Sequence, residues 1–87
     1  MRKLKRKYLD FIRWNIEVLG HSDPNLLGLR GIVKMETQRS FLVDVNGRIK
    51  KILKLWGQFK LSKGKEEITL FGEELLSRPF ERARWYK

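Results

Sequence analysis

The chain has no cysteine and only one histidine, His21. Disulfide stapling is therefore excluded, and a zinc or thiolate centre has no ligand set to draw on. His21 stands among the turn formers His21-Ser22-Asp23-Pro24-Asn25 with no HxE or HxxxH companion, so it reads as a strand-end residue rather than a ligand or base. No apolar run approaches the roughly 18 residues that span a bilayer. The start, MRKLKRKYLDFIRW, is basic but lacks the uninterrupted apolar segment and small-residue cleavage site of an export signal. The expectation is a cytoplasmic protein with no membrane span; the missing thiols agree with that compartment without establishing it. Paired catalytic carboxylates are lacking too. Glu66-Glu67 and Glu73-Glu74 are adjacent pairs whose side chains diverge on a strand or helix, and no glycine loop cradles phosphate. No catalytic residue, metal ligand or cofactor is assigned to the chain.

What is abundant is positive charge. Across 87 residues, 20 Lys and Arg face 10 Asp and Glu, a net charge of +10 with a pI near 10.3. That is more than solubility requires in a small domain, and it points to a polyanion, with nucleic acid ahead of an anionic membrane surface. The 41% of hydrophobic residues must supply a modest core without staples. No repeat or linker divides the chain, so residues 1–87 are read as a single domain: a basic helical arm over 1–14, a barrel over 15–72 and a C-terminal tail or helix over 73–87.

In the arm, Leu4, Tyr8, Phe11 and Ile12 fall at helical spacing while Arg2, Lys3, Lys5, Arg6 and Lys7 crowd the remaining surface. Asn15 to Gly20 alternates as a half-buried strand. In GLRGIVKMET, Leu29, Val33 and Met35 share a face with Gly31, whose missing side chain predicts a bulge or a close backbone approach. The central stretch, Ser40 to Leu61, is a hairpin turning at Asn46-Gly47. A two-residue loop would set Val43 beside Lys50 and Asp44 beside Ile49. A three-residue loop, Val45-Asn46-Gly47, pairs Val43 with Ile49 and is the preferred register; it leaves Arg48, Lys50 and Lys54 off the apolar face as a row of cations. Such a row suits phosphates, and it also suits a plain solvated edge that resists aggregation. Ser62-Lys63-Gly64-Lys65 turns into a last strand, Glu66 to Phe71, with Ile68 and Leu70 inward. Trp14, Trp56 and Trp85 are assigned to core or interface rather than to base stacking. Arg78 and Arg82 sit four residues apart, spaced to clamp phosphate or to pair with Glu74 and Glu81. These short strands with turn signals between them predict a mainly β fold, a small antiparallel barrel.

The run NLLGLRGIVKMETQRSFLV, a basic strand reaching Lys54, and LFGEELLSRPFER resemble protein component 1 of archaeal ribonuclease P, a family related to the barrel subunit shared by eukaryotic ribonuclease P and ribonuclease MRP. The resemblance rests on Gly28, Gly31, Glu36-Thr37, Lys54, Gly72 and Arg78-Pro79 with Arg82. It departs at Arg39-Ser40, where the family has Asn-Thr, and at Leu53, where it has Pro. It implies a twisted Sm-like or SH3-like antiparallel barrel with N- and C-terminal helical extensions. It also implies a noncatalytic, RNA-binding subunit of the ribonucleoprotein that matures the 5′ end of precursor tRNA, the cleavage and its Mg2+ belonging to the RNA. Implied partners are the ribonuclease P RNA, a zinc-ribbon protein subunit met through the N-terminal region, the other protein subunits, and precursor tRNA in the holoenzyme. On this reading Arg39, Arg48, Lys50, Lys54, Arg78 and Arg82 contact RNA, and Leu4, Tyr8, Phe11, Ile12 and Trp14 face the protein partner. The alternative is a ribosomal or translation-associated basic barrel, since GLRGIVKMET is also similar to the bent strand of ribosomal SH3-like domains.

Overall fold

Alternating apolar and polar residues become six antiparallel strands in the computed structural model, which describes residues 10–76. They are β1 (Asn15–Gly20), β2 (Arg30–Glu36), β3 (Ser40–Val45), β4 (Arg48–Leu53), β5 (Gln58–Lys63) and β6 (Glu66–Phe71), in the sheet order β4-β3-β2-β1-β5-β6. The sheet curls on itself in the manner of a barrel. Phe41 of β3 and Phe59 of β5 are separated by two strands in that order, yet their rings meet edge to face at 5.6 Å. Ile16, Val18, Val33, Phe41, Val43, Ile52, Phe59, Leu61 and Leu70 line the inside, and Leu75 closes it from a 3-10 turn at Gly72–Leu75. The mainly β expectation holds. The helical extensions fall largely outside the described residues, as do Leu4, Tyr8, Arg78, Arg82 and Trp85.

Where the arm enters the description it is not helical. Trp14 N donates to Phe11 O at 3.0 Å and Arg13 has φ 74°, so residues 11–14 form a turn, and Phe11 and Trp14 drop into the core in edge-to-face contact at 5.1 Å. The helical reading of the arm over 1–14 thus fails over this last part, where the chain turns into β1.

The hairpin register also differs from the preferred one. Val43 pairs with Lys50, Asp44 with Ile49 and Val45 with Arg48, so the loop is the two-residue Asn46-Gly47. Asn46 at φ 53° and Gly47 at φ 86° both occupy the left-handed region that the tight two-residue turn demands, and Asp44 Oδ1 accepts from Gly47 N at 2.8 Å. The shift by one residue inverts the faces of β4. Ile52, opposite Phe41, points inward, and Lys54, two residues further on, has the same inward parity.

A second parity change occurs in β2. Val33 pairs with Val43 but Met35 pairs with Leu42, so Lys34 is an extra residue and the strand is bulged there. Met35, expected inward, is exposed, and Glu36 turns in. Gly31 shows the close approach instead: a Cβ there would collide with the Asp44 carbonyl and the Val43 side chain.

Between β4 and β5 the chain kinks at Trp56, which has φ 64° and a side chain 73% exposed. A left-handed tryptophan costs about 1–2 kcal/mol relative to glycine, and burial repays little of it here. Trp56→Gly is accordingly expected to stabilise the fold by about 1 kcal/mol, which thermal melting would register as a rise of roughly 4–8 °C.

Candidate nucleic-acid interface

The described cations are unevenly placed. β4 is an edge strand, and Arg48, Lys50 and Lys51 are all exposed on it. Arg48 and Lys50 have inward parity, opposite Val45 and the buried Val43, yet stay exposed on the open edge, whereas Lys51 lies on the outer face opposite Leu42. None of the three makes an ion pair among the described residues. Arg39 is exposed in the β2–β3 turn, where Thr37 N donates to Ser40 O at 2.9 Å and the hydroxyls of Thr37 and Ser40 are 2.8 Å apart. The opposite side of the sheet is mixed in charge, with Lys60 held between Glu17 at 3.5 Å and Glu67 at 3.8 Å. Lys51 was not among the residues singled out from sequence; a third cation in the run Arg48 to Lys51 was the available signal.

Lys54 corrects the expected row. It is fully buried, and its Nζ donates to Glu36 Oε2 at 2.8 Å, Thr37 O at 2.7 Å and Leu75 O at 2.7 Å, 5.1 Å from the centre of the Phe41 ring. Glu36 uses its other oxygen to accept from Phe11 N at 3.1 Å. Buried charges persist when paired and hydrogen-bonded in this way. Lys54 N also donates to Arg39 O at 2.8 Å, and Gly72 packs so closely on the Lys54 carbonyl that no side chain fits. The pair therefore joins the incoming arm, the end of β2, the end of β4 and the segment after β6. Lys54 is unavailable to phosphate in this fold.

The partner-facing set is corrected likewise. Phe11 and Trp14 are buried in the core, and Ile12, 39% exposed, is the outward member among the described residues. His21 serves the fold: Nδ1 accepts from Asp23 N at 3.0 Å, so Nε2 carries the proton and donates to Leu53 O at 2.9 Å. Among the described residues there is no metal-binding group of His, Asp and Glu, and no helix is long and apolar enough to cross a membrane.

Most of the net charge lies elsewhere in the sequence. Residues 10–76 hold eleven Lys and Arg against nine Asp and Glu, a net +2, so eight of the ten net charges belong to residues 1–9 and 77–87. The basic edge of the sheet is thus a local concentration on a nearly neutral body.

Comparison with known proteins decides what such a body belongs to. Residues 6–85 match the family model described as ribonuclease P/MRP, subunit p29. The chain belongs to this family. It is 39% identical over 70 residues to ribonuclease P protein component 1 of Sulfurisphaera tokodaii, covering 80% of this chain and 91% of that one. It is 34% identical over 88 aligned positions to the protein of the same name from Staphylothermus marinus, covering 97% and 96%. The corresponding protein of Nitrosopumilus maritimus is 29% identical over 73 residues, 84% of this chain and 83% of that one. Membership sides with the ribonuclease P reading over the ribosomal one. It also puts the residues that carried the resemblance in a new light, because Glu36, Lys54 and Gly72 meet in the buried junction and Gly31 in the tight crossing of β2 and β3. In this chain those positions tie the barrel together.

Proposed function

We propose that this chain is a noncatalytic, RNA-binding subunit of ribonuclease P that supports RNA-catalysed 5′ maturation of precursor tRNA. The observation that carries the reading is the unpaired row Arg48, Lys50 and Lys51 on an exposed edge strand of a ribonuclease P subunit fold. A rigid ribbon holds these cations at fixed spacing, so they neutralise crowded phosphates without first ordering a loop. Arg39 extends the same contact, and the basic residues of 1–9 and 77–87, Arg78 and Arg82 among them, add to it. Lowering phosphate repulsion lets the RNA reach its active shape at less magnesium, and the chemistry and its Mg2+ stay with the RNA. The zinc-ribbon subunit is the proposed protein partner, met in the cytoplasm through the N-terminal region, with Leu4, Tyr8 and the exposed Ile12 as the proposed contacts.

Reconstitution tests this directly: cleavage of precursor tRNA by the cognate RNA and the other protein subunits at limiting magnesium, with and without this chain. Rescue is expected with the wild type and weakened rescue with Arg48→Ala/Lys50→Ala/Lys51→Ala. Binding to the RNA should weaken with salt, and the triple variant should flatten the log-log slope by about 2, from roughly 0.7 per lost contact. An unchanged slope would remove β4 from the interface.

A further inference from the structure

Where β1 ends, β5 begins and β6 ends, next to the last residue of β4, lies a concavity of about 450 Å³ lined by His21, Trp56, Gly57, Gln58, Phe71 and Glu73 among others. Two large aromatics stand open there, Trp56 at 73% and Phe71 at 53% exposure. Glu73 is exposed beside them and has no hydrogen bond or ion pair among the described residues. We propose that this concavity receives an arginine side chain of a basic protein partner, its guanidinium stacked on Trp56 and paired with the Glu73 carboxylate.

Charge selects this occupant. The carboxylate lining the site repels a phosphate, and among the described residues no Lys or Arg lines the concavity to hold one. A cation is drawn to the face of an indole and, when planar, donates two parallel hydrogen bonds to a carboxylate. Arginine does both at once, whereas the ammonium of lysine does so less well.

The walls are set before any ligand arrives. Gly57 N donates to Lys54 O at 3.1 Å and Gly72 N to Gly57 O at 2.8 Å, which ties the Trp56 kink to the start of the 3-10 turn carrying Glu73. Phe71 N donates to Glu74 Oε2 at 2.9 Å, fixing the other wall. A side chain on Gly57 would strike Phe59 and His21, so the floor stays flat. Little ordering is left for binding to pay, and a single side chain suffices for measurable affinity in the millimolar range.

The site shares no lining residue with the RNA-binding set Arg39, Arg48, Lys50 and Lys51, and its test uses the full chain labelled with nitrogen-15. The Trp56 indole N–H cross-peak is assigned by its loss in Trp56→Phe. Three probes are titrated at constant ionic strength: acetyl-Gly-Arg-Gly-amide, its citrulline counterpart and guanosine 5′-monophosphate. The arginine peptide is expected to shift the Trp56 indole and the amides of Gly57 and Gln58. The citrulline peptide, and the arginine peptide with Glu73→Gln, are expected to bind about tenfold more weakly. The other cross-peaks of Glu73→Gln should coincide with those of the wild type, and its salt-dependent RNA affinity should be unchanged. Equal response to citrulline would reduce the site to an apolar hollow. Response to the nucleotide alone would make it a base-binding site, and no response to any probe would remove it.

Discussion

Lys54→Ala is expected to destabilise the fold by about 3–5 kcal/mol, because it leaves the Glu36 carboxylate buried without its cation. Against the total of roughly 4–13 kcal/mol for a domain of this length, that loss brings unfolding close to ambient temperature. The carbonyls of Thr37 and Leu75 lose their donor as well, and the ties between β2, β4 and the segment after β6 loosen together. Urea denaturation at constant pH measures the effect. A double replacement separates charge from shape. Glu36→Gln/Lys54→Met removes both charges, keeps side-chain volume and retains an acceptor for Phe11 N, so it should recover about 2 kcal/mol of the loss. If the single and double variants are equally unstable, the ion pair is not what Lys54 contributes. Either variant, measured where it is folded, should keep the wild-type salt slope for RNA, because a buried ammonium releases no counterion. A loss of RNA-dependent activity in Lys54→Ala therefore reports folding, and β4 variants that leave Lys54 intact are the ones that report contact.

Gly72→Ala should be nearly as damaging. The added methyl would fall on the Lys54 carbonyl group, with the Lys54 Cα also within 3.1 Å. Overpacking against a flexible side chain is relieved by rotation, but here the obstacle is backbone held by Gly57 N and by the buried pair. Relief requires moving the chain after β6, which strains the Gly72 N to Gly57 O bond; a loss of about 3 kcal/mol, at the upper end for overpacking, is expected. Gly20→Ala is the control. Its Cβ would meet only Gln58 Cβ at 3.8 Å, an ordinary contact, and stability should stay within about 0.5 kcal/mol. Equal destabilisation of the two variants would show that glycine as such, rather than the crossing at Lys54, matters at position 72.

Local rules sufficed for much of this protein. Alternation placed β1 and β6, Asn46-Gly47 and Gly64-Lys65 announced their turns, and the motifs around Gly31, Lys54 and Gly72 pointed to the family. Each of these signals acts over a few residues, where backbone sterics and the period of a strand leave little choice. The faces of β2 and β4 were not legible in the same way. An extra residue at Lys34 and a loop of two residues rather than three each reverse parity, and sequence alternation cannot choose between neighbouring registers when both place some apolar residue inward. Both reversals are settled by the tertiary structure, which brings Glu36 and Lys54, 18 residues apart, to 2.8 Å in the same interior. What the sequence determined by itself was the kind of fold, its turns and its excess of positive charge. Only the folded chain decided which lysine is a surface cation and which is a buried tie, because that depends on partners distant in sequence that meet when the sheet curls.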